Sequence, residues 1–283
     1  DDNNVVEVAD DDLSAEASDS NFTQLDNDII SGDGNLTHDY AFDPDTESDL
    51  FDDGLKINKS IDGHGHTIDF VRSEKSIIIE GYDVVVSNLV FKNSGNTAVF
   101  CIAHGGTLLN CTFINCGYNE SVVGAVKWDG ENGAMVDCNF IECEAHWVSW
   151  QARGTVWWTA VNGRISNSRF TDCWSGGSSD IYWEGARGTV EDCYFDNSSG
   201  GLYGAVYWVG ENGTVTGSYF NNCYAYRWGG AIYWDADNGT VANCNFDKCH
   251  SQDFGGAIRW DDSYGGTNGI VTGCKNEDRK SVV

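Results

Sequence analysis

The chain has 283 residues, a formal net charge of −28 and a pI of about 4.2. We therefore expect neither nucleic acid nor an anionic membrane surface as a partner, because binding to phosphate groups needs clustered Lys and Arg. The sequence has no apolar run of about 18 residues, and so predicts no membrane insertion.

The first 54 residues differ in charge from the rest of the chain. Residues 1–54 contain 18 Asp or Glu and no Lys or Arg, whereas the remainder carries −10. We predict an acidic N-terminal arm or cap over 1–54, a folded body over 55–274 and a C-terminal tail over 275–283. This composition alone is typical of disorder, but residues 5–8 and 25–30 have the apolar pattern of short strands. Such strands would dock on the same chain or on a neighbour through Val5, Val6, Val8, Leu25, Ile29 and Ile30.

A repeat of about 25 residues runs through the body. Each copy has a strand like Gly-Ala-Ile-Tyr-Trp, then a turn and a strand like Asn-Gly-Thr-Val, then a Phe about 12 residues after the Trp. The Trp residues are spaced by 30, 25, 25, 26 and 26 residues, at Trp128, Trp158, Trp183, Trp208, Trp234 and Trp260.

This period predicts an all-β, single-stranded parallel β-helix with about nine coils and three short strands per coil. A leucine-rich repeat would show a Leu scaffold, and a propeller blade would need four strands in about 40–45 residues. A single coil cannot bury its own apolar face, so stacked neighbours must form the core. Equivalent residues of successive coils would lie about 4.8 Å apart.

Alternation along the first strand of each coil assigns its side chains to two faces. We place the Ile or Val and the Trp inward, together with the Phe column. The residue before each Trp then faces outward, at Lys127, Trp157, Tyr182, Tyr207, Tyr233 and Arg259. The aromatic members, Trp157, Tyr182, Tyr207 and Tyr233, predict an exposed platform for a sugar or a protein partner. The alternative is that the arm, or the loops with Trp147, Trp150 and Trp174, cover this row.

The 11 cysteines fall mainly into two columns. Cys111, Cys138, Cys193, Cys244 and Cys274 form the first column, and Cys116, Cys143, Cys173, Cys223 and Cys249 form the second. Their odd number excludes complete internal pairing, although secretion would favour disulfides. Ser replaces single members of both columns, which favours free thiols that pack in the core as small apolar groups. The spacing does not match a CxxC zinc site.

The repeat resembles that of chlamydial polymorphic outer-membrane proteins and, more closely, of adhesin-like surface proteins of methanogenic archaea. The resemblance covers about 55–274 and rests on Gly-Gly-Ala-Ile at 229–232 and 255–258, on Phe-x-x-Cys as at 113–116, and on the opening phrase at 57–68. It implies a right-handed parallel β-helix, a surface location and no catalytic residues. The family has Asn where this chain usually has Cys, and the Trp column here is unusually regular.

Carboxylates after the Trp column are the candidates for catalysis, because a glycosidase needs two that flank the scissile bond. They recur about once per coil, at Asp129, Glu184, Asp235 and Asp261. A catalytic site would break the repeat and these acids follow it, so we predict solvated turn residues and no catalytic residue. The same acids would suit Ca²⁺ between coils, but we predict no other cofactor and no metal site. The His residues, such as His64 and His66, form no catalytic or metal pattern.

Two hypotheses for function follow. The first is an adhesive rod that presents the aromatic row to a glycan or a cell-surface protein. The second is a structural subunit that assembles head to tail into filaments through its arm and its open ends. We predict a non-enzymatic, extracellular, adhesin-like protein of the cell surface. The alternative is a β-helix that binds or cleaves polysaccharide.

Overall fold

The computed structural model describes residues 20–52, 54–117, 123–146, 153–178, 180–261 and 266–276. Short strands follow one another along these segments and are joined by tight turns. The strand pairs between successive coils are parallel and in register, as for Trp208 beside Trp183 and Trp234. The predicted parallel β-helix is therefore confirmed, with nine coils in two of its sheets.

Three long sheets form the sides of the stack, and we name each by a side chain on its inner face. The Trp sheet consists of Leu55–Ile57, Ile77–Ile79, Val99–Cys101, Val126–Trp128, Val156–Trp158, Ile181–Trp183, Val206–Trp208, Ile232–Trp234 and Ile258–Trp260. The Val sheet consists of Ile61–Asp62, Val85–Ser87, Thr107–Leu109, Ala134–Val136, Arg164–Ser166, Thr189–Glu191, Thr214–Thr216, Thr240–Ala242 and Ile270–Thr272. The Phe sheet consists of Ser20–Asn21, Tyr40–Ala41, Thr67–Asp69, Val90–Lys92, Thr112–Ile114, Asn139–Ile141, Arg169–Thr171, Tyr194–Asp196, Tyr219–Asn221, Asn245–Asp247 and Lys275–Asn276.

A fourth sheet, which the sequence did not predict, adds one two-residue strand to five of the coils. This short sheet consists of Glu144–Ala145, Trp174–Ser175, Ser199–Gly200, Tyr224–Ala225 and His250–Ser251. It follows the second cysteine column, at the corner where the chain turns from the Phe sheet back to the Trp sheet. The predicted C-terminal tail also begins inside a sheet, because Lys275–Asn276 pairs with the strand of the preceding coil.

Stacked aromatic rings fill the core. The predicted inward Trp and Phe columns are buried, and only the last coil leaves Ile258 and Trp260 partly accessible. Successive indole rings stack with centroids 4.5 to 4.9 Å apart. The Phe rings stack at 4.6 to 5.1 Å. These separations equal the spacing of the coils, so the parallel register itself creates the ring contacts.

Asparagines hold the turns in a left-handed conformation. Asn132 and Asn162 have φ of 58° and 59°, a region that Asn tolerates better than most other residues. Their side chains also join successive coils, because Asn162 Nδ2 donates to Asn132 Oδ1 at 2.9 Å. Asn110 Nδ2 donates to Asn88 Oδ1 in the same way at 2.8 Å. Such ladders satisfy amide groups that a single turn would leave to solvent.

All 11 cysteines are free thiols, and all but Cys274 are buried, as the two columns predict. The Sγ atoms of the two columns donate to carbonyl oxygens, as from Cys116 to Phe91 O at 3.7 Å. Ser168 fills the same place in its column and donates to Ser166 O at 2.9 Å. Cys and Ser are thus interchangeable because both are small and both can bond the same kind of carbonyl oxygen.

A helical cap covers the first coil. The helix α1 spans Phe22–Ser31 and the helix α2 spans Pro44–Glu47. The buried Glu47 carboxylate accepts hydrogen bonds from Thr23 N at 2.6 Å and from Asp43 N at 2.9 Å. It thereby ties the start of α1 to the start of α2, where a carboxylate is also favoured by the exposed N–H groups.

The prediction of a strand at residues 25–30 is wrong, because these residues belong to α1. Leu25 and Ile29 are buried against the body of the same chain, whereas Ile30 is 72% exposed. Leu25 and Ile29 are four residues apart and so lie on one face of a helix, a spacing that so short an apolar segment does not distinguish from that of a strand. Val5, Val6 and Val8 lie outside the described residues, and the role of all six residues in assembly stays a prediction.

The helices of the described segments are too short or too polar to cross a membrane.

Candidate binding groove

The predicted aromatic row lies on the outer face of the Trp sheet, but it is not an open platform. Trp157, Tyr182, Tyr207 and Tyr233 are neighbours in register on successive strands. Tyr182 and Tyr233 are only 7% and 6% exposed, and the other two are partly buried. The expectation that all four rings are exposed is therefore wrong.

Side chains from the corner between the short sheet and the Trp sheet cover the row. The ring of Tyr203 stacks on that of Tyr207 with centroids 3.9 Å apart, and Arg153 lies 4.6 Å from the centroid of Tyr182. Burial raises the pKa of Tyr182, Tyr207 and Tyr233, so the phenols are held neutral at ordinary pH. Covering loops were the alternative to an open platform, although Trp147 and Trp150 lie outside the described residues and Trp174 points elsewhere.

The candidate acids after the Trp column have different surroundings. Asp129 pairs with Lys127 at 2.9 Å, and Glu184 accepts from Trp157 Nε1 at 3.0 Å. Asp261 pairs with Arg259 at 2.9 Å and accepts from the Tyr233 hydroxyl at 3.1 Å. Asp235 is different, because its Oδ1 is buried without a hydrogen-bond partner among the described residues. Burial and the neighbouring Asp261 raise the pKa of Asp235.

The histidines of the first coil have local partners. His64 contacts Asn35 at 2.9 Å and His66 contacts Asp39 at 3.1 Å. Within the described segments, no three or more His, Cys, Asp or Glu side chains converge as a metal site would require. The suggestion of Ca²⁺ between coils stays a prediction.

An open groove of about 430 Å³ lies along the short sheet, and sequence reasoning missed it. Its walls are mainly aromatic and aliphatic, from Trp174, Tyr224, Tyr226 and Leu202, and Arg227 lies at its side. Trp174 and Tyr226 are 38% and 50% exposed. Exposed aromatic side chains around a concave surface are typical of a ligand site.

The groove lies at the one small residue, Ser199, in the outward-facing column of the short sheet, whose other members have large side chains. Along this column, Trp174, Ser199 and Tyr224 are neighbours on successive strands. Trp174 has the His146 ring 5.5 Å away on its far side, and Tyr224 has His250 at 4.9 Å on its far side. Both aromatic rings are therefore supported from outside, and the small Ser199 leaves the space between them open.

Glycines keep the floor of the groove flat. A Cβ on Gly201 would lie under 3.0 Å from the carbonyl oxygen of Gly176 in the coil before. A Cβ on Gly200 would meet the carbonyl oxygen of Tyr203 in the same way. Any larger residue would force the backbones apart. The close packing of the coils thus excludes side chains from the floor between the aromatic walls.

The charge of the groove differs from that of the whole molecule. The groove residues include one cation, Arg227, and no carboxylate. Of the basic residues in the described segments, Arg164, Arg169 and Arg259 pair with carboxylates, whereas Arg227 lies 5.8 Å from the ring of Trp228. The guanidinium is thus free to donate to a ligand in the groove.

One signal in the sequence could have revealed the groove. The residue after the second cysteine column reads Glu144, Trp174, Ser199, Tyr224 and His250 in successive coils. An aromatic, a small residue and an aromatic in adjacent coils break the repeat, which is the mark expected of a site. Three predicted strands per coil leave this corner unassigned, so Trp174 enters the sequence analysis only as part of a loop that covers the aromatic row in the alternative to an open platform.

Comparisons with known proteins support the fold and leave the function open. Residues 153–281 match the family model described as right handed beta helix region. The solved structure of a pectate lyase from Bacillus sp. N165, in complex with trigalacturonate, aligns with 91% of this chain and 80% of its own. Its sequence identity is 15% and the TM-score is 0.40, values too low to support an inference about activity. No curated protein matches the sequence, so the resemblance to archaeal adhesin-like and chlamydial proteins stays a prediction.

Proposed function

We propose that this protein is a non-enzymatic, adhesin-like β-helix of the extracellular cell surface, and that it binds glycan in the groove between Trp174 and Tyr224. The observation that carries this proposal is the single missing side chain at Ser199, between two aromatic rings on the outer face of a rigid stack. The groove breaks the repeat, whereas the covered aromatic row follows it.

The spacing of the two rings suits one sugar ring. Residues two coils apart are separated by roughly 10 Å, because each coil advances about 4.8 Å. A sugar ring held between two aromatic rings needs about 4 Å of van der Waals separation on each side. Adjacent coils would leave no room for such a ring, whereas a gap of two coils admits one. The slightly positive C–H face of a pyranose suits the negative face of Trp174 or Tyr224.

A nucleobase would also fit between two rings by shape alone. The net charge of −28 disfavours nucleic acid, because its phosphates would be repelled and the groove residues include only one cation. A glycan offers flat apolar faces and hydroxyl groups without that phosphate charge. The Arg227 guanidinium can donate hydrogen bonds to those hydroxyl groups.

The test is a screen of the full chain on a glycan array, followed by calorimetric titration of the best ligand. Trp174→Ala and Tyr226→Ala should each weaken binding by about tenfold or more, as for aromatic residues at the centre of a binding site. Tyr194→Ala is the matched control, because Tyr194 is also an outward aromatic that stacks on its neighbour, at 5.2 Å from Tyr219, but on the Phe sheet. Equal losses in all three variants, or no ligand on the array, would reject the groove as a glycan site.

A second candidate function is hydrolysis of polysaccharide, which the contrast between Asp235 and Asp261 favours. Arg259 and Tyr233 stabilise the charge of Asp261, whereas burial raises the pKa of Asp235. Two carboxyl groups with opposed surroundings can divide the roles of acid and base. An assay of reducing ends released from a polysaccharide panel tests this candidate. Release that Asp235→Asn abolishes would establish it, and silence across the panel would count against it.

Self-assembly into filaments is the remaining part of the proposed surface role. The last strand of the Val sheet leaves Ile270 and Val271 55% and 52% exposed, and its outer edge is free to pair in the structure described. An unpaired edge with apolar side chains can add a strand from another molecule. Electron microscopy of the full chain at several concentrations checks this: filaments with a regular axial repeat support assembly, and short isolated rods contradict it.

A further inference from the structure

Cysteines of adjacent coils lie at a separation that a disulfide bond can span. Residues in register on neighbouring strands are about 4.8 Å apart, and disulfides join Cα atoms at roughly 4.4 to 6.8 Å. Lys275 N donates to Cys244 O at 2.9 Å, which places Cys274 directly over Cys244 in the first cysteine column. The two Sγ atoms take equivalent places, because Cys244 Sγ lies 3.7 Å from Val215 O and Cys274 Sγ lies 3.7 Å from Val241 O, each in the preceding coil.

This pair is isolated within its column. The next position toward the N-terminus is Ser218, whose hydroxyl donates to Thr216 O at 3.0 Å. In the second column Cys143 instead lies in register between Cys116 and Cys173, because Glu144 N donates to Cys116 O and Trp174 N donates to Cys143 O, so a pairing there would have two alternatives. The pair of Cys244 and Cys274 has no such competitor.

Access to solvent also distinguishes this pair. Cys274 is the one cysteine of the 11 that is not buried. It belongs to the last coil, where the neighbouring strand Ile270–Thr272 is exposed. A reagent in solution can reach this sulfur without unfolding the core, whereas the other ten require the stack to open.

We propose that Cys244 and Cys274 form a disulfide when the folded protein meets an oxidant of the disulfide class, such as oxidised glutathione. The Cys274 thiolate attacks one sulfur of the reagent, forms a mixed disulfide and releases one glutathione. The glutathione thiolate released in the first step takes the proton of Cys244, which then attacks the Cys274 sulfur and releases the second glutathione. Two protein thiols are oxidised, and one reagent disulfide is reduced to two thiols.

The consequence is a covalent tie on the last coil. Its backbone pairs on one side only, and its apolar side chains are half exposed, so this coil should open most readily. Burial raises the pKa of Cys244 to about 12, which makes this sulfur a poorer nucleophile toward a reagent in solution than the more accessible Cys274. Bond formation therefore begins at the exposed sulfur and ends by fixing the coil to the rod.

The experiment uses the full chain, reduced, freed of reductant and then treated with oxidised glutathione while folded. Remaining thiols are alkylated in denaturant and counted by intact mass, and a digest identifies the joined peptides. Nine alkylated thiols out of 11 are expected, with Cys244 joined to Cys274. Amide exchange in residues 270–276 should slow after oxidation.

Two variants make the assignment decisive. Cys274→Ser should keep all ten of its thiols after the same treatment, whereas Cys193→Ser, in the same column, should still lose two. Eleven alkylated thiols in the unaltered chain, or a glutathione that stays on Cys274, would overturn the proposal. A loss of two thiols that persists in Cys274→Ser would place the disulfide elsewhere and overturn it equally.

Discussion

The indole of Trp208 lies against the Cα of Gly213, five residues later in the same coil. A Cβ on Gly213 would lie under 3.0 Å from Trp208 Cε2, closer than real Cβ atoms approach a neighbour. Each of the six Trp residues has such a glycine, five residues later at Gly133, Gly163, Gly188, Gly213 and Gly239 and nine residues later at Gly269. The two residues of this turn thus serve two needs, because Asn, or Arg187 in one coil, adopts the left-handed conformation and Gly makes room for the indole.

Gly213→Ala should destabilise the protein by about 3 kcal/mol or more, because the added methyl group overpacks a core that cannot shift. Trp208→Phe should recover part of this loss by removing the ring atoms that meet the methyl group. Guanidinium unfolding of the two single variants and the double variant measures the coupling, which should exceed about 1 kcal/mol. Gly65→Ala is the comparison, because a Cβ there meets no atom within 4 Å while its φ of 87° strains an alanine, so its cost measures backbone strain without overpacking. Additive effects of Gly213→Ala and Trp208→Phe would show that the contact does not limit stability.

Most of the fold could be predicted from the repeat, because a parallel stack places equivalent residues one above another. The inward columns could be predicted from alternation, and the free thiols from the exchange of Cys with Ser at Ser168 and Ser218. The N-terminal cap could not, because α1 belongs to no repeat and its Leu25 and Ile29 suit a helix face as well as a strand.

The groove could not be predicted from the repeat. The prediction of a binding surface at Tyr182, Tyr207 and Tyr233 rested on their regular row. A stack of coils, however, makes a regular row of any side chain that fits, so the row does not by itself indicate a site. The position that departs from the pattern is Ser199, and its meaning depends on Trp174 and Tyr224 two coils apart. Only the register of the short sheet brings those three residues together.

The buried thiols should make stability fall in alkali. Burial raises the pKa of Cys101, Cys111 and Cys193 to about 12, from an ordinary value of 9.0. Below pH 9 each thiol is protonated in both states, and their full contribution is present. Between pH 9 and 12 only the unfolded state ionises, so the free energy of unfolding should fall by about 1.4 kcal/mol per pH unit for each thiol.

Unfolding by guanidinium at pH 8, 9, 10 and 11, in reductant, checks this dependence. In Cys193→Ser the free energy of unfolding should fall less steeply with pH, by the contribution of one thiol, because a Ser hydroxyl does not ionise in this range. Its stability at pH 8 should change little, since Ser218 fills the next place in the same column and accepts a hydrogen bond from Cys193 N at 3.1 Å. An unchanged slope in this variant would mean that Cys193 is not protected from ionisation.

Filling the space between Trp174 and Tyr224 should abolish glycan binding without loss of stability. Ser199→Tyr completes an aromatic ladder in which each ring stacks on the next, as Tyr194 and Tyr219 already do on the Phe sheet. Its melting temperature should equal or exceed that of the unaltered chain, because the new ring is packed on both sides. Ser199→Thr keeps a small side chain and should retain binding. Undiminished binding in Ser199→Tyr, measured by the same titration, would show that glycan binding does not need the space between Trp174 and Tyr224.

Loss of the Glu47 carboxylate should release the N-terminal cap and promote self-association. This side chain accepts hydrogen bonds from Phe22 N, Thr23 N, Thr23 Oγ1 and Asp43 N. Glu47→Ala leaves these donors without their acceptor, which should cost about 2 to 4 kcal/mol of cap stability. Once α1 detaches, the apolar side chains of Leu55 and Ile57 and the free edge of their strand become accessible, and exposed edges pair with other molecules.

Light scattering at increasing concentration measures this outcome. Glu47→Ala should show larger particles than the unaltered chain, whereas Thr46→Ala, which loses only an exposed hydrogen bond to Asp43, should not. The direction of the change also bears on the predicted filaments. If the arm joined molecules by binding a neighbour, weakening its fold would reduce particle size. An increase means instead that the arm covers the end of the β-helix, and that assembly begins when the arm detaches.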